Sequence, residues 1–272
     1  MEKALDENCS QCHTTCGQCH VSQPDIAGAG LIDGHLFKKK PNQLKNCVVC
    51  HESRTGAEFT GGNGRLEASV HYRGGMTCMD CHTGMEIHGF DGTADNRYEV
   101  ESLPACRDCH GDGIDTKNAM HEKHIDDLEC HVCHSLPYSN CYYCHAESPD
   151  SQNPLEPGIQ FEPEIDFRIG RSPMKDERHT SDYALLRHVP IHQETFADYG
   201  IELDDYASEP TWKYASPHNI QLQTPQNASC NKCHGNPNIF LTEYYVNIKI
   251  SQGAVTEEEL AANQDVILDE VP

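Results

Sequence analysis

His121-Glu122-Lys123-His124-Ile125-Asp126-Asp127-Leu128-Glu129-Cys130-His131-Val132-Cys133-His134 is the stretch on which the reading of this chain turns. It closes in Cys-x-x-Cys-His, and two further histidines precede it. The same closing pattern recurs at Cys9-Cys12-His13, Cys16-Cys19-His20, Cys47-Cys50-His51, Cys78-Cys81-His82, Cys106-Cys109-His110, Cys141-Cys144-His145 and Cys230-Cys233-His234. Together the eight copies use all 16 cysteines of the 272 residues.

The pattern reads as covalent c-type haem attachment. Each of the two haem vinyl groups can form a thioether with one cysteine, and the following histidine supplies an axial ligand to the iron. On a helical turn, positions i, i+3 and i+4 share a face, so both sulfurs and the imidazole converge. The competing readings are zinc knuckles and a disulfide framework. Neither requires a histidine after every second cysteine. Histidine is 18 of 272 residues. Eight such coincidences would arise by chance on the order of once in a billion, which favours haem.

Composition points the same way. Hydrophobic residues make up 37% of the chain and there is one Trp, against a usual apolar share of about 45–50%. A chain this polar has little from which to build a side-chain core. Porphyrins would supply much of the buried apolar area, and the chain without them is expected to be largely unfolded. The formal charge of −23 argues against nucleic acid, whose phosphates call for a basic surface. It suits solubility and basic patches on partner proteins. No run approaches the ~18 apolar residues of a membrane span. Met1-Glu2-Lys3-Ala4-Leu5-Asp6 lacks the apolar stretch of a signal peptide. Since c-type haem is normally attached outside the cytoplasm, the chain is expected to be a mature form without its leader.

Seven motifs fall in residues 1–145, with first cysteines spaced by 7, 31, 31, 28, 24 and 11 residues. The spacing is loosely repetitive and no strict repeat follows. Residues 146–229 hold no motif and form a capping region that supplies ligands. Residues 230–272 carry the eighth motif and are expected to add a strand and an acidic helix. The whole is expected to be one haem-cored unit. Gly56, Gly61-Gly62-Asn63-Gly64, Gly74-Gly75 and Gly111-Asp112-Gly113 read as loop, and Asp91 to Asn96 as a plain turn that lacks a full calcium pattern. Ile159, Phe161, Ile165, Phe167 and Ile169 alternate with polar residues, as do Tyr244, Val246, Ile248 and Ile250. Both alternations predict strands that could pair, or serve as a docking edge. Thr256-Glu257-Glu258-Glu259 reads as a capping box opening a helix.

Eight motif histidines, His13, His20, His51, His82, His110, His134, His145 and His234, are the expected proximal ligands. Ten histidines remain. Eight of these, His35, His71, His88, His121, His124, His179, His188 and His218, are expected as distal ligands. His131, inside a motif, and His192, close after His188, are the expected spares. The supply allows every iron two histidines. An iron so filled exchanges electrons and has no ready position for substrate. Any of the six methionines is the other possible distal ligand.

On these residues the chain resembles the multihaem c-type cytochromes. His121 and His124 ahead of Cys130 look like small multihaem carriers, in which two such histidines ligate different haems. The haem density and ample distal histidines are also similar to extracellular cytochromes that polymerise into conducting filaments. The resemblance implies a mostly irregular multihaem cytochrome c fold with short helices at the motifs, a small β element and a haem-stacked core. It implies eight haems c and electron transfer, with no catalytic residue, as an extracellular conduit or as a filament subunit that forms a homopolymer. The partners would be redox proteins or extracellular acceptors. A monomeric periplasmic shuttle stays open as an alternative. So does an octahaem reductase of nitrogen or sulfur compounds with one open haem. In several such reductases a lysine replaces the histidine of that haem's motif, whereas all eight motifs here end in histidine, and the chain is short beside those enzymes.

Overall fold

The computed structural model describes residues 42–43, 47–48, 51, 55–61, 67–87, 103–111, 113–114, 116–136, 167–174, 179–188, 208–252 and 256–271. Most helices here are a turn or two long, as expected where Gly, Asp and Asn interrupt every apolar run. Helix α1, Ala57–Thr60, follows Gly56, which has helical dihedrals rather than those of the expected loop. It stops at Gly61, whose φ of 77° is left-handed. A Cβ at Gly61 would come within 2.8 Å of the Ala68 nitrogen, so glycine is required there for both reasons. Helix α2, Val70–Arg73, bears His71. A 3₁₀ turn at Cys78–Asp80 leads into α3, Gly84–Ile87. Helices α4, Arg107–His110, and α6, Cys130–His134, are motifs in helical form, and between them α5, Ala119–His124, opens on an Asn118 cap that accepts from the Met120 N–H.

Among the described residues three strands follow: β1, Phe167–Arg171, β2, Tyr183–His188, and β3, Trp212–Tyr214. They form one antiparallel sheet in the order β1-β2-β3, with Ile169 opposite Leu185 and Leu186 opposite Tyr214. The expected first strand is therefore present from Phe167 onward; residues 159–166 lie outside the described residues. Its partner differs from expectation, because β1 pairs with β2.

The second expected strand is overturned outright. Tyr244 to Ile250 lie in helix α7, Glu243–Ser251. Thr242 caps it, its hydroxyl accepting the Tyr245 N–H at 3.3 Å. Val246 and Ile250, four residues apart, face the core together with Tyr245, so helical spacing and not alternation governs burial. Helix α8, Glu257–Ala262, opens on a capping box between Thr256 and Glu259.

The sheet is where the side-chain core sits. Leu186 and Trp212 pack with Leu241, Val246, Val266 and Ile267. Ile169, Tyr183 and Leu185 pack with Val132 of α6 and with Phe240 and Leu268. Gly170 lets this happen. A Cβ there would lie 2.4 Å from Leu186 Cδ1 and 2.5 Å from the Val266 carbonyl oxygen. Backbone bonds then tie the motifs to the sheet. Tyr183 N–H donates to Asp127 and Glu129 N–H to Tyr183, each at 2.9 Å, which fixes the start of α6. Leu241 N–H donates to Ile169 at 2.8 Å, which fixes the segment after the motif at 230–234.

Candidate functional site

Four motifs are described in full, at residues 78–82, 106–110, 130–134 and 230–234. A strap at residues 218–221 joins the elements around them. Asn219 Nδ2 donates to the Glu58 and Glu67 carbonyls at 2.9 and 2.7 Å. Ile220 accepts from Val70 N–H, and Gln221 N–H donates to the His134 carbonyl at 2.8 Å. Asn219 is fully buried, so these bonds are made away from water and would be costly to lose.

Each of the four motifs sets its histidine opposite a histidine from elsewhere in the chain. The ring centres of His71 and His110 are 6.1 Å apart, those of His82 and His218 6.2 Å, those of His121 and His134 6.0 Å, and those of His124 and His234 5.9 Å. A direct N–H···N bond of about 3 Å would bring ring centres to roughly 5.2 Å. Two imidazoles on one metal, each bond about 2.0–2.1 Å with roughly 1.1 Å from nitrogen to ring centre, give about 6.3 Å. The observed spacings fall near the second value. The ring planes meet at 43°, 17°, 55° and 51°, a spread that is allowed because an imidazole can turn about its metal bond.

Hydrogen bonds orient these rings. His124 Nδ1 lies 2.9 Å from the Met120 carbonyl, His134 Nδ1 3.1 Å from that of Gln221, and His218 Nδ1 3.0 Å from that of Ser216. His82 Nδ1 lies 2.7 Å from Glu86 Oε1. A carbonyl or carboxylate only accepts, so each Nδ1 carries the proton and Nε2 is left as the ligating nitrogen. Burial, with the nearby His110, lowers the His71 pKa and favours the neutral form that a metal binds. The residues therefore fit a haem iron held between two imidazoles.

The eight cysteines of these motifs form no disulfide. Their arrangement links the motifs in space. Burial raises the Cys81 thiol pKa, and Cys109 of the next motif adds to the rise. The Cys106 thiol donates to Cys130; that bond raises the Cys106 pKa and lowers that of Cys130. Burial pushes Cys133 up to about 11, with Cys233 contributing. Arg107 Nη2 donates to the Ile125 carbonyl at 2.6 Å, while Thr224 Oγ1 and Asn227 Nδ2 donate to that of Cys133 at 2.5 and 3.2 Å. The motifs thus neighbour one another in the order 78–82, 106–110, 130–134, 230–234.

His131 has a different task. Its Nε2 accepts the Leu185 N–H at 3.1 Å, and its Nδ1 is 3.4 Å from the Tyr214 hydroxyl. It is buried, and burial, with His179 adding, pushes its pKa down to about 3. Both ring nitrogens are engaged in the sheet, in keeping with a spare histidine. His179 meets Tyr214, with ring centres 6.3 Å apart, and His188 meets Trp212 at 5.1 Å. The structure brings neither to a described motif histidine. Cys47 and His51 are described without Cys50. The expected ligands His13, His20, His35, His88 and His145, the spare His192, the turn at 91–96 and Cys9, Cys12, Cys16, Cys19, Cys141 and Cys144 lie outside the described residues. Glu86 was not among the expected site residues, although its i+4 spacing from His82 is a readable signal.

Among the described residues, no group of three or more His, Cys, Asp or Glu is set to hold a metal ion. No helix among these residues is long and apolar enough to cross a membrane. Compared with known proteins, the chain matches no family model, no curated protein and no solved structure.

Proposed function

We propose that this chain is an electron-transfer protein carrying eight covalently attached haems c, each iron held between two histidines. The observation that carries the proposal is the set of four histidine pairs with ring centres 5.9–6.2 Å apart. Each pair joins a motif histidine to one from outside the motifs. The thioether-forming cysteines would be Cys78 and Cys81, Cys106 and Cys109, Cys130 and Cys133, and Cys230 and Cys233, and those of the other four motifs by the same pattern.

When bound, haem supplies one-electron exchange between ferric and ferrous iron. The protein's residues do the rest. The paired imidazoles would hold each iron from both sides, which favours electron transfer over catalysis and would limit geometric change on reduction. His121 and His124 lie three residues apart on one helix face and serve two different motifs, so one turn of α5 holds two centres side by side. The contact order of the motifs gives a path from 78–82 through 106–110 and 130–134 to 230–234. Covalent haem attachment implies a site outside the cytoplasm. There the protein would act as a conduit to redox proteins or extracellular acceptors, and as a filament subunit if copies stack.

Intact-mass spectrometry of the protein purified from a host able to attach haem c tests the proposal. Eight haem additions per chain are expected. A mass without them, or zinc retained in their stead, would overturn it.

A further inference from the structure

The four Nδ1 acceptors differ in charge. His124, His134 and His218 each face a neutral backbone carbonyl, while His82 faces the Glu86 carboxylate at 2.7 Å, the shortest of the four contacts. Glu86 is held there by the start of α3. Its N–H donates to Thr83 Oγ1 at 3.2 Å, and the Ile87 N–H donates to the Thr83 carbonyl at 3.1 Å. His82 lies two residues before α3, so the contact bridges the turn from the motif into that helix. The Glu86 side chain is only 13% exposed, so the solvent screens this contact weakly.

We propose that Glu86 is a positioning residue that sets the iron centre at His82 to a lower reduction potential than the centres at His134 and His234, where His134 and His124 face neutral carbonyls. The inference rests on the electron-transfer reading above. A hydrogen bond to an ionised acceptor is stronger than one to a neutral carbonyl. It draws the Nδ1 proton toward the carboxylate and makes Nε2 a more basic ligand. A more basic ligand stabilises ferric over ferrous iron. The centre at His82 is also the first in the contact order of the four described motifs, so the device gives that order a direction. Electrons entering at the 78–82 end would run downhill toward 230–234.

The test is a potentiometric titration of the holoprotein, followed by optical and electron paramagnetic resonance spectra. Glu86→Gln keeps the acceptor oxygen and removes its charge. It is expected to shift one component to higher potential, leaving eight haems by mass and the low-spin signals intact. Glu86→Leu, similar in bulk and without an acceptor, should shift the same component further. A purely structural role would lower haem content or spin purity and leave the potentials in place. Eight haems with unchanged potentials in both variants would overturn the inference. If neither variant assembles, His82→Met decides. The component it removes must lie below those removed by His134→Met and His234→Met, and any other ranking overturns the inference. A parent protein lacking eight low-spin haems would instead sink the underlying reading.

Discussion

His124 and His234, from helices and turns far apart in the chain, lie with ring centres 5.9 Å apart, while His121, one turn before His124, faces His134 at 6.0 Å. A single helical turn thus reaches two motifs. Replacing His124 should therefore affect the centre at 230–234 and spare that at 130–134. In His124→Ala, one haem of eight should become high-spin and bind carbon monoxide when reduced. Carbon monoxide titration checks this, and a variant indistinguishable from the parent would remove His124 from the ligand set.

Asn219 tests the strap that carries His218. Asn219→Ala loses three side-chain bonds, two donated to the Glu58 and Glu67 carbonyls and one accepted from Gln221 Nε2, at a cost of about 1–3 kcal/mol. Thermal unfolding should begin earlier, and the centre at His82 should show partial high-spin character in resonance spectra. A melt unchanged from the parent would contradict the role given to the strap.

His131 gives the fold a pH dependence. Folded His131 refuses a proton until about pH 3, whereas the unfolded chain takes one up near 6.5. As pH falls from about 6.5 toward 3, this residue should reduce stability by up to about 1.4 kcal/mol per pH unit. Denaturation with urea at several pH values measures the slope. His131→Phe should flatten that leg and lower stability at pH 7, because the half-buried Leu185 N–H loses its acceptor. Its haem spectra should match the parent's.

Gly170→Ala would drive a methyl group into Leu186 and the Val266 carbonyl. Overpacking of this kind costs about 1–3 kcal/mol. The melting temperature should drop while the number of attached haems stays at eight. A variant as stable as the parent would show that the β1–β2 packing is looser than described.

Sequence alone singles out the motif cysteines and His71, His121, His124 and His218, because the eight irons expected from the motifs would need ligands. It did not lead to their partners. His71 lies just before the motif at 78–82 yet faces His110, and His218 precedes the motif at 230–234 yet faces His82. Spacing limits which residues can meet; the strap and the sheet decide which do. The alternation at Tyr244 to Ile250 misled because Thr242 caps a helix there, and a local cap outweighs a weak period of two. Strand β2, Tyr-Ala-Leu-Leu-Arg-His at 183–188, was missed for the opposite reason. Both of its faces are covered, so its apolar residues run on without alternating.

The spin state of the irons in the intact, oxidised protein tests the central claim most directly. Electron paramagnetic resonance with a carbon monoxide titration of the reduced form reads it. The account predicts eight low-spin haems and no carbon monoxide uptake. A high-spin haem that binds the ligand would contradict it, and would mean that at least one iron keeps a position open for substrate.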